Sequence, residues 1–183
     1  MPASRGVVRR PLILTARFLL GWDISSKIIS WRSGGPSHVD FLADDESGWW
    51  SAFSVKVPGF IKGGIIPSGC WKRPRDYYGT PKHVTYVRIG MTSEEWGAFW
   101  SLVEQTKGCA YDTTGLLDTF VLMRQIGPPR DWRAKDSFWC SEWWTWLLEG
   151  CKRIQPLHQL ITHVDPGMAL GISSSHAIER RPL

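Results

Sequence analysis

Apolar and polar positions fall in short, strand-like runs along much of this chain and switch to helical spacing in a few longer stretches. Residues 11–18 (PLILTARF) are a continuous apolar run interrupted by Thr15 and Arg17, and predict a buried strand. Residues 23–31 set Ile24, Ile28 and Trp31 on one helical face behind Asp23 as a cap, and Arg-Ser-Gly-Gly-Pro-Ser breaks that helix. Residues 38–43 and 49–55 read as two strands joined by a turn over 44–48. The Gly- and Pro-rich segment 58–81 predicts mostly loop, and 83–89 alternates as a further strand. The clearest helix runs from Thr92 to Gly108: Trp96, Phe99, Trp100 and Val103 form one apolar stripe, and Thr92 with Glu95 makes a capping box. Further helices are predicted over 112–125, closed by Gly127 and the two prolines behind it, and from near Ser137 through CSEWWTWLLEGCKRI, with Asp136 or Ser137 as cap. Beyond Pro156 the pattern turns short and irregular, and the tail from Ser173 is expected to fray.

Composition narrows this picture. At 183 residues the chain is sized for one domain over 1–183, with its core about 11–170. Twelve tryptophans stand against four tyrosines, enough large rings to fill a core at this length or to line a groove for sugar or peptide. The net charge of +5 favours an anionic partner such as cell-wall polymer, but the basic residues are scattered and no nucleic-acid fingerprint is visible. Cys70, Cys109, Cys140 and Cys151 lack zinc-knuckle spacing, so free thiols and no metal or cofactor are the simplest expectation. Arg17 interrupts the second apolar stretch of the N-terminal region and no small-residue cleavage site follows, so no signal peptide is expected and synthesis in the cytoplasm is. No stretch reaches the roughly 18–20 apolar residues of a membrane span.

Cys140 is the first candidate for chemistry. It falls in the first turn of a predicted helix, where unsatisfied N–H groups and the helix dipole favour a thiolate and can face an oxyanion. The plain alternative is a small buried apolar residue among Phe138, Trp139, Trp143 and Trp144. A cysteine nucleophile needs a base, and five histidines compete. His38 opens a strand directly after a Gly-Gly-Pro-Ser loop, where a side chain can emerge at a cleft edge; His83 also opens a strand and is second choice; His158, His163 and His176 lie in the irregular C-terminal part.

The segments GGPSHVDF, GCAYDTTGLL and FWCSEWW, in that order, resemble the circularly permuted papain-like amidases of the YiiX/YaeF type, within the NlpC-like superfamily of cell-wall cysteine peptidases. The likeness spans residues 11 to 170 or so, and the order of His38 before Cys140 matches the permuted branch. It implies an α+β, papain-like fold with a small antiparallel sheet packed on the cysteine helix. It also implies hydrolysis of an amide through a thioester, without metal or cofactor, on a peptide or peptidoglycan stem. In such proteins a polar residue on the next strand orients the imidazole. Here that place falls to Ser51, with Ser54 as the other choice and Asp40, on His38's own strand, as the alternative if Ser51 is misassigned. Neither serine is the Glu, Asp, Asn or His expected there. Tyr111 and Asp112 match a pair implied to line the substrate cleft, although packing and helix capping would use them equally well. Glu142 is either a first-turn helix stabiliser or a contact residue, and Cys151 is expected to be buried and inert. The resemblance fits a phage-borne protein or a delivered toxin acting at the cell wall. It leaves open a lecithin:retinol-acyltransferase-like enzyme acting on lipid acyl groups, or a binding module of the same fold.

Overall fold

The structure, a computed structural model, describes residues 11–21, 24–53, 60–61, 64–65, 68–77, 83–113, 136–157 and 164–182. In chain order the first strands and helix are β1 (Leu12–Leu19), α1 (Ile24–Ser33), β2 (His38–Leu42), β3 (Gly48–Phe53), β4 (Phe60–Ile61), β5 (Gly64–Ile65) and β6 (Gly69–Pro74). Then follow β7 (Val84–Met91), α2 (Ser93–Thr106), β8 (Ala110–Tyr111), β9 (Ser137–Phe138), α3 (Cys140–Gly150), α4 (Pro166–Ser175) and β10 (Glu179–Pro182). Six strands form one antiparallel sheet in the order β10-β7-β1-β2-β3-β6. The class is α+β, as the mixed pattern predicts. No described helix is long and apolar enough to cross a membrane.

The sheet has one apolar face, and the helices cover it. Strand alternation sends Leu14, Ala16 and Phe18 of β1 and Val39 and Phe41 of β2 to that side, where they meet Phe99 and Val103 of α2 and Trp143, Trp144, Leu147 and Leu148 of α3. The two rings Trp143 and Trp144 are each 1% exposed and tilt against Phe41 at centroid distances of 5.2 and 5.6 Å. Each indole N–H also needs a partner when buried. Trp143 Nε1 donates to Thr106 Oγ1 at 2.9 Å, and Trp144 Nε1 donates to Ser173 Oγ at 2.8 Å. These bonds tie α3 to α2 on one side and to α4 on the other.

Several local expectations are met and several are corrected. The capping box of α2 forms: Glu95 N–H donates to Thr92 Oγ1 at 3.2 Å, and Thr92 N–H to Glu95 Oε2 at 2.8 Å. Among its described residues, segment 58–81 is mostly strand rather than loop, and β6 pairs with β3 from Gly48↔Pro74 to Phe53↔Gly69. Gly69 and Pro74 are the two end residues of that strand. The tail from Ser173 is not frayed. Asp165 caps α4 by accepting from Met168 N–H at 2.8 Å, Pro166 sits in the first turn, and β10 adds a sixth strand along β7, with Arg88 Nη1 2.8 Å from Glu179 Oε2. The caps proposed for the cysteine helix are also wrong. Ser137 lies in β9, and the N-cap position is Trp139, which offers no side-chain acceptor. Apart from Asp112 and Thr113, the predicted helix over 112–125 falls outside the described residues, as do the cap Asp23, Ser54, His158 and His163.

Candidate active site

The strand that carries His38 is pinned before the histidine is reached. Ser37 N–H donates to the Leu19 carbonyl at 3.0 Å, and Ser37 Oγ accepts from Gly21 N–H at 2.8 Å, fixing the start of β2 against the end of β1. Because alternate residues share a face, His38 and Asp40 point together, away from the side occupied by Val39 and Phe41. In the β1–β2 register Arg17 stands opposite Asp40. The β2–β3 hairpin pairs Phe41 with Trp50, and one step further brings Ser51 to the same row.

That row is a buried polar network. His38 Nε2 lies 2.6 Å from Asp40 Oδ1 and 3.0 Å from Ser51 Oγ. Arg17 Nε donates to Asp40 Oδ2 at 3.0 Å, and its guanidinium stacks 4.0 Å from the centroid of the Trp49 ring. His38, Asp40, Ser51 and Arg17 are 7%, 0%, 1% and 4% exposed, so these charges interact in a medium that screens them weakly. Burial alone would push the His38 imidazole toward its neutral form. The charges and hydrogen bonds of Asp40 and Cys140 outweigh it and raise the ring from 6.5 to about 10. Burial likewise opposes ionisation of Asp40, and is overcome by His38, Arg17 and the Ser51 hydroxyl, which hold the carboxyl below the usual range. The ring is therefore an imidazolium at neutral pH, buttressed by a carboxylate that stays ionised there.

Cys140 meets this ring from the other side of the chain. It is the first residue of α3 and 5% exposed, and its sulfur acts on His38 both by charge and by a hydrogen bond. The helix start is held by a shared acceptor: Trp139 Nε1 and Ser141 Oγ both donate to the Val164 carbonyl, at 3.2 and 2.6 Å. Asp40 and Ser51 meet the same ring at Nε2. Next to the sulfur, Ile29, Ser37, Tyr111, Trp139 and Pro166 enclose a narrow cleft of about 10 Å³, room for about one water.

The structure thus brings together Cys140, His38 and Ser51, and adds Asp40 as the shorter contact to the imidazole. Tyr111 lines the cleft, half-buried on β8; Asp112 is 6% exposed beside it and is not part of the lining. His83 is exposed at the start of β7 and is not among the groups acting on the His38–Cys140 pair. Glu142 is fully buried one residue past Ser141. Cys151 is buried, bonds the Leu148 carbonyl at 3.4 Å, and is pushed up to about 11 by burial. Arg17 went unnoticed as a site residue although it carried a signal: an arginine inside a buried strand needs a buried carboxylate opposite it. The His-x-Asp spacing on β2 supplies that carboxylate and aims it at the ring.

No protein-family model, curated protein or solved structure matches this chain. The candidate site therefore stands on its own geometry.

Proposed function

We propose that this protein is a cysteine hydrolase of the circularly permuted papain-like type, cleaving an amide bond through a thioester. One juxtaposition carries the reading: a cysteine at an uncapped helix start shares a hydrogen bond with a buried imidazolium whose Nε2 is held by a carboxylate and a hydroxyl. The Cys140 sulfur adds to the carbonyl carbon, and the charge that develops on the carbonyl oxygen faces the first-turn N–H groups of α3. His38 gives its proton to the departing amine, leaving a thioester. The neutral imidazole then takes a proton from water, hydroxide adds to the thioester, and Cys140 leaves as thiolate beside a reprotonated ring. Asp40 stabilises the imidazolium in both half-reactions, and Ser51 and Arg17 fix the carboxylate. Tyr111 and Ile29 form the walls past which the acyl group enters.

Peptide stems of peptidoglycan are the proposed substrate class. The test is release of new amine groups from purified peptidoglycan by the wild-type protein, with Cys140→Ala as control. Release by wild type alone supports the reading. Absence of release, together with no labelling of Cys140 by an electrophilic thiol probe, sinks it. A second reading has one observation in its favour. Helix α1, whose Ile29 lines the cleft, also exposes Trp31 at 76% and Ile28 at 38%, as a protein drawing acyl chains from a lipid surface would. Hydrolysis of a phospholipid ester in vesicles, abolished by Cys140→Ala and reduced by Trp31→Ser, would favour that acyl-transfer chemistry over the amidase.

A further inference from the structure

A second cavity lies at the opposite end of the β2–β3 hairpin from His38. It measures about 400 Å³, within the roughly 300–1,000 Å³ of small-molecule sites. Its walls are three indoles, Trp50 of β3, Trp71 of β6 and Trp100 of α2, and its rim carries Asp44, Lys72, Glu104 and Lys107. Trp100, Glu104 and Lys107 follow one another along a single face at the end of α2, so the helix supplies one wall with its rim and the sheet supplies the other.

Two features describe what this cavity suits. The first is rigidity. Trp71 Nε1 donates to the Ser68 carbonyl at 3.2 Å, and its ring lies so close over Gly108 (φ +85°) that an added Cβ there would sit 3.3 Å from it. Trp100 is wedged against Trp96, Phe99 and Phe41 at centroid distances of 5.5, 5.3 and 6.1 Å. These platforms are set before any ligand arrives, which lowers the ordering cost of binding. The second is charge balance. The rim holds two carboxylates and two ammonium groups, and each lysine has a carboxylate partner: Lys72 Nζ lies 2.8 Å from Asp45 Oδ2, and Lys107 Nζ lies 3.3 Å from Glu104 Oε2 while facing the Trp50 ring at 5.8 Å. An anion finds no uncommitted cation in this rim, and a cation would compete with Lys107 for the Trp50 face.

An uncharged ring with apolar faces and a polar edge meets both conditions. We infer that this cavity is a carbohydrate-binding site that takes uncharged pyranose rings, their C–H faces on Trp71 and Trp100 and their hydroxyls on Asp44, Glu104 and Lys72. The inference makes no use of Cys140 and stands whether or not the chain is a hydrolase.

The test uses Cys140→Ala protein, so that no turnover interferes, and four soluble probes: chitotetraose, cellotetraose, maltotetraose and adenosine. Tryptophan fluorescence and calorimetry should show saturable binding of at least one tetrasaccharide at about 1 mM or tighter, and none of adenosine. Trp71→Ala and Trp100→Ala should each weaken it at least tenfold. Because either could disturb packing, the exposed rim change Glu104→Ala provides a second reading, expected to weaken binding severalfold at an unchanged melting temperature. Failure of all three sugars to bind would overturn the assignment. So would sugar binding indifferent to Trp71→Ala, Trp100→Ala and Glu104→Ala, or adenosine binding in place of sugar.

Discussion

At the scale of single residues, the question is which group makes His38 an effective proton carrier. Ser51 and Asp40 both touch Nε2, but only Asp40 brings charge, and its contact is shorter, 2.6 Å against 3.0 Å. Ser51→Ala should therefore lower turnover only about tenfold, worth about 1.4 kcal/mol of barrier. Asp40→Asn should cost at least about a hundredfold. It should also leave a signature that a structural defect would not, because the alkaline fall of kcat/KM, set in the wild type by an imidazole near 10, should move to lower pH. An unmoved alkaline limb would remove Asp40 from the proton pathway. Reactivity offers a separate check. Burial pushes up the thiols of Cys70, Cys109 and Cys151, so iodoacetamide at pH 7.5 should label Cys140 well ahead of the other three, as read by peptide mapping. Equal labelling would mean that the imidazolium does not activate it. Cys140 and His38 were legible in the sequence because a helix start and a strand start are local signals. The carboxylate was harder to rank, since Asp40 becomes a ring partner only once alternation along β2 and the position of Arg17 on β1 are combined.

At the scale of elements, the site is a meeting of two ends, and the parts that hold those ends were unequally visible. Helix α2 announces itself through its stripe and capping box, and β1, β2, β3 and β7 through runs of apolar residues. Strand β6 did not, because its sequence, Gly-Cys-Trp-Lys-Arg-Pro, lacks alternation and sits among glycines and prolines. What makes it a strand is its pairing with β3, together with a close approach of backbones at its start. Gly69 has φ +108°, and a Cβ there would lie 2.2 Å from the Cys109 carbonyl oxygen. Gly69→Ala should therefore destabilise the fold by at least about 2 kcal/mol, from backbone strain and collision together. Gly97, inside α2 with nothing within 4 Å of an added Cβ, should behave oppositely. Gly97→Ala should stabilise by about 0.5–1 kcal/mol through helix propensity and unfolded-state entropy. Urea unfolding of the pair measures both signs at once. Helix α4 is hard to read for the same kind of reason: its cap and first-turn proline are clear, but Met168, Leu170 and Ile172 alternate with Gly, Ala and Ser instead of forming a helical stripe. Its place comes from Trp144, whose N–H reaches Ser173.

At the scale of the whole molecule, the buried network links the site to folding stability through pH. His38 keeps its proton in the folded chain up to about 10, whereas in the unfolded chain it releases it near the ordinary value of about 6.5. Where the ring's proton does not come from Cys140, the folded state binds the extra proton between those limits, so stability falls as pH rises; Cys140→Ala protein isolates that case, with Asp40 holding the imidazolium. The sign is that of a raised group: its contribution is fully present below about 6.5 and is lost as pH climbs through 10. The slope can reach about 1.4 kcal/mol per pH unit. Asp40 has the opposite sense, its contribution being present above the usual carboxylate range and lost as acid drives pH down through its lowered value. Stability should accordingly be greatest between the two, in the mildly acidic range, although the protein carries a net positive charge. The buried thiols, also raised, would add a decline of their own once unfolded cysteines ionise near about 8.5–9, so the decisive window is pH 6.5 to 8.5. Urea midpoints of Cys140→Ala should drop steadily across it, while those of Cys140→Ala with His38→Gln, which has no proton to lose, should stay level even if lower throughout. A Cys140→Ala midpoint as flat as the double variant's would show that Asp40 does not raise the ring, and the carboxylate would lose its part in holding the proton that the proposed amide cleavage needs at His38.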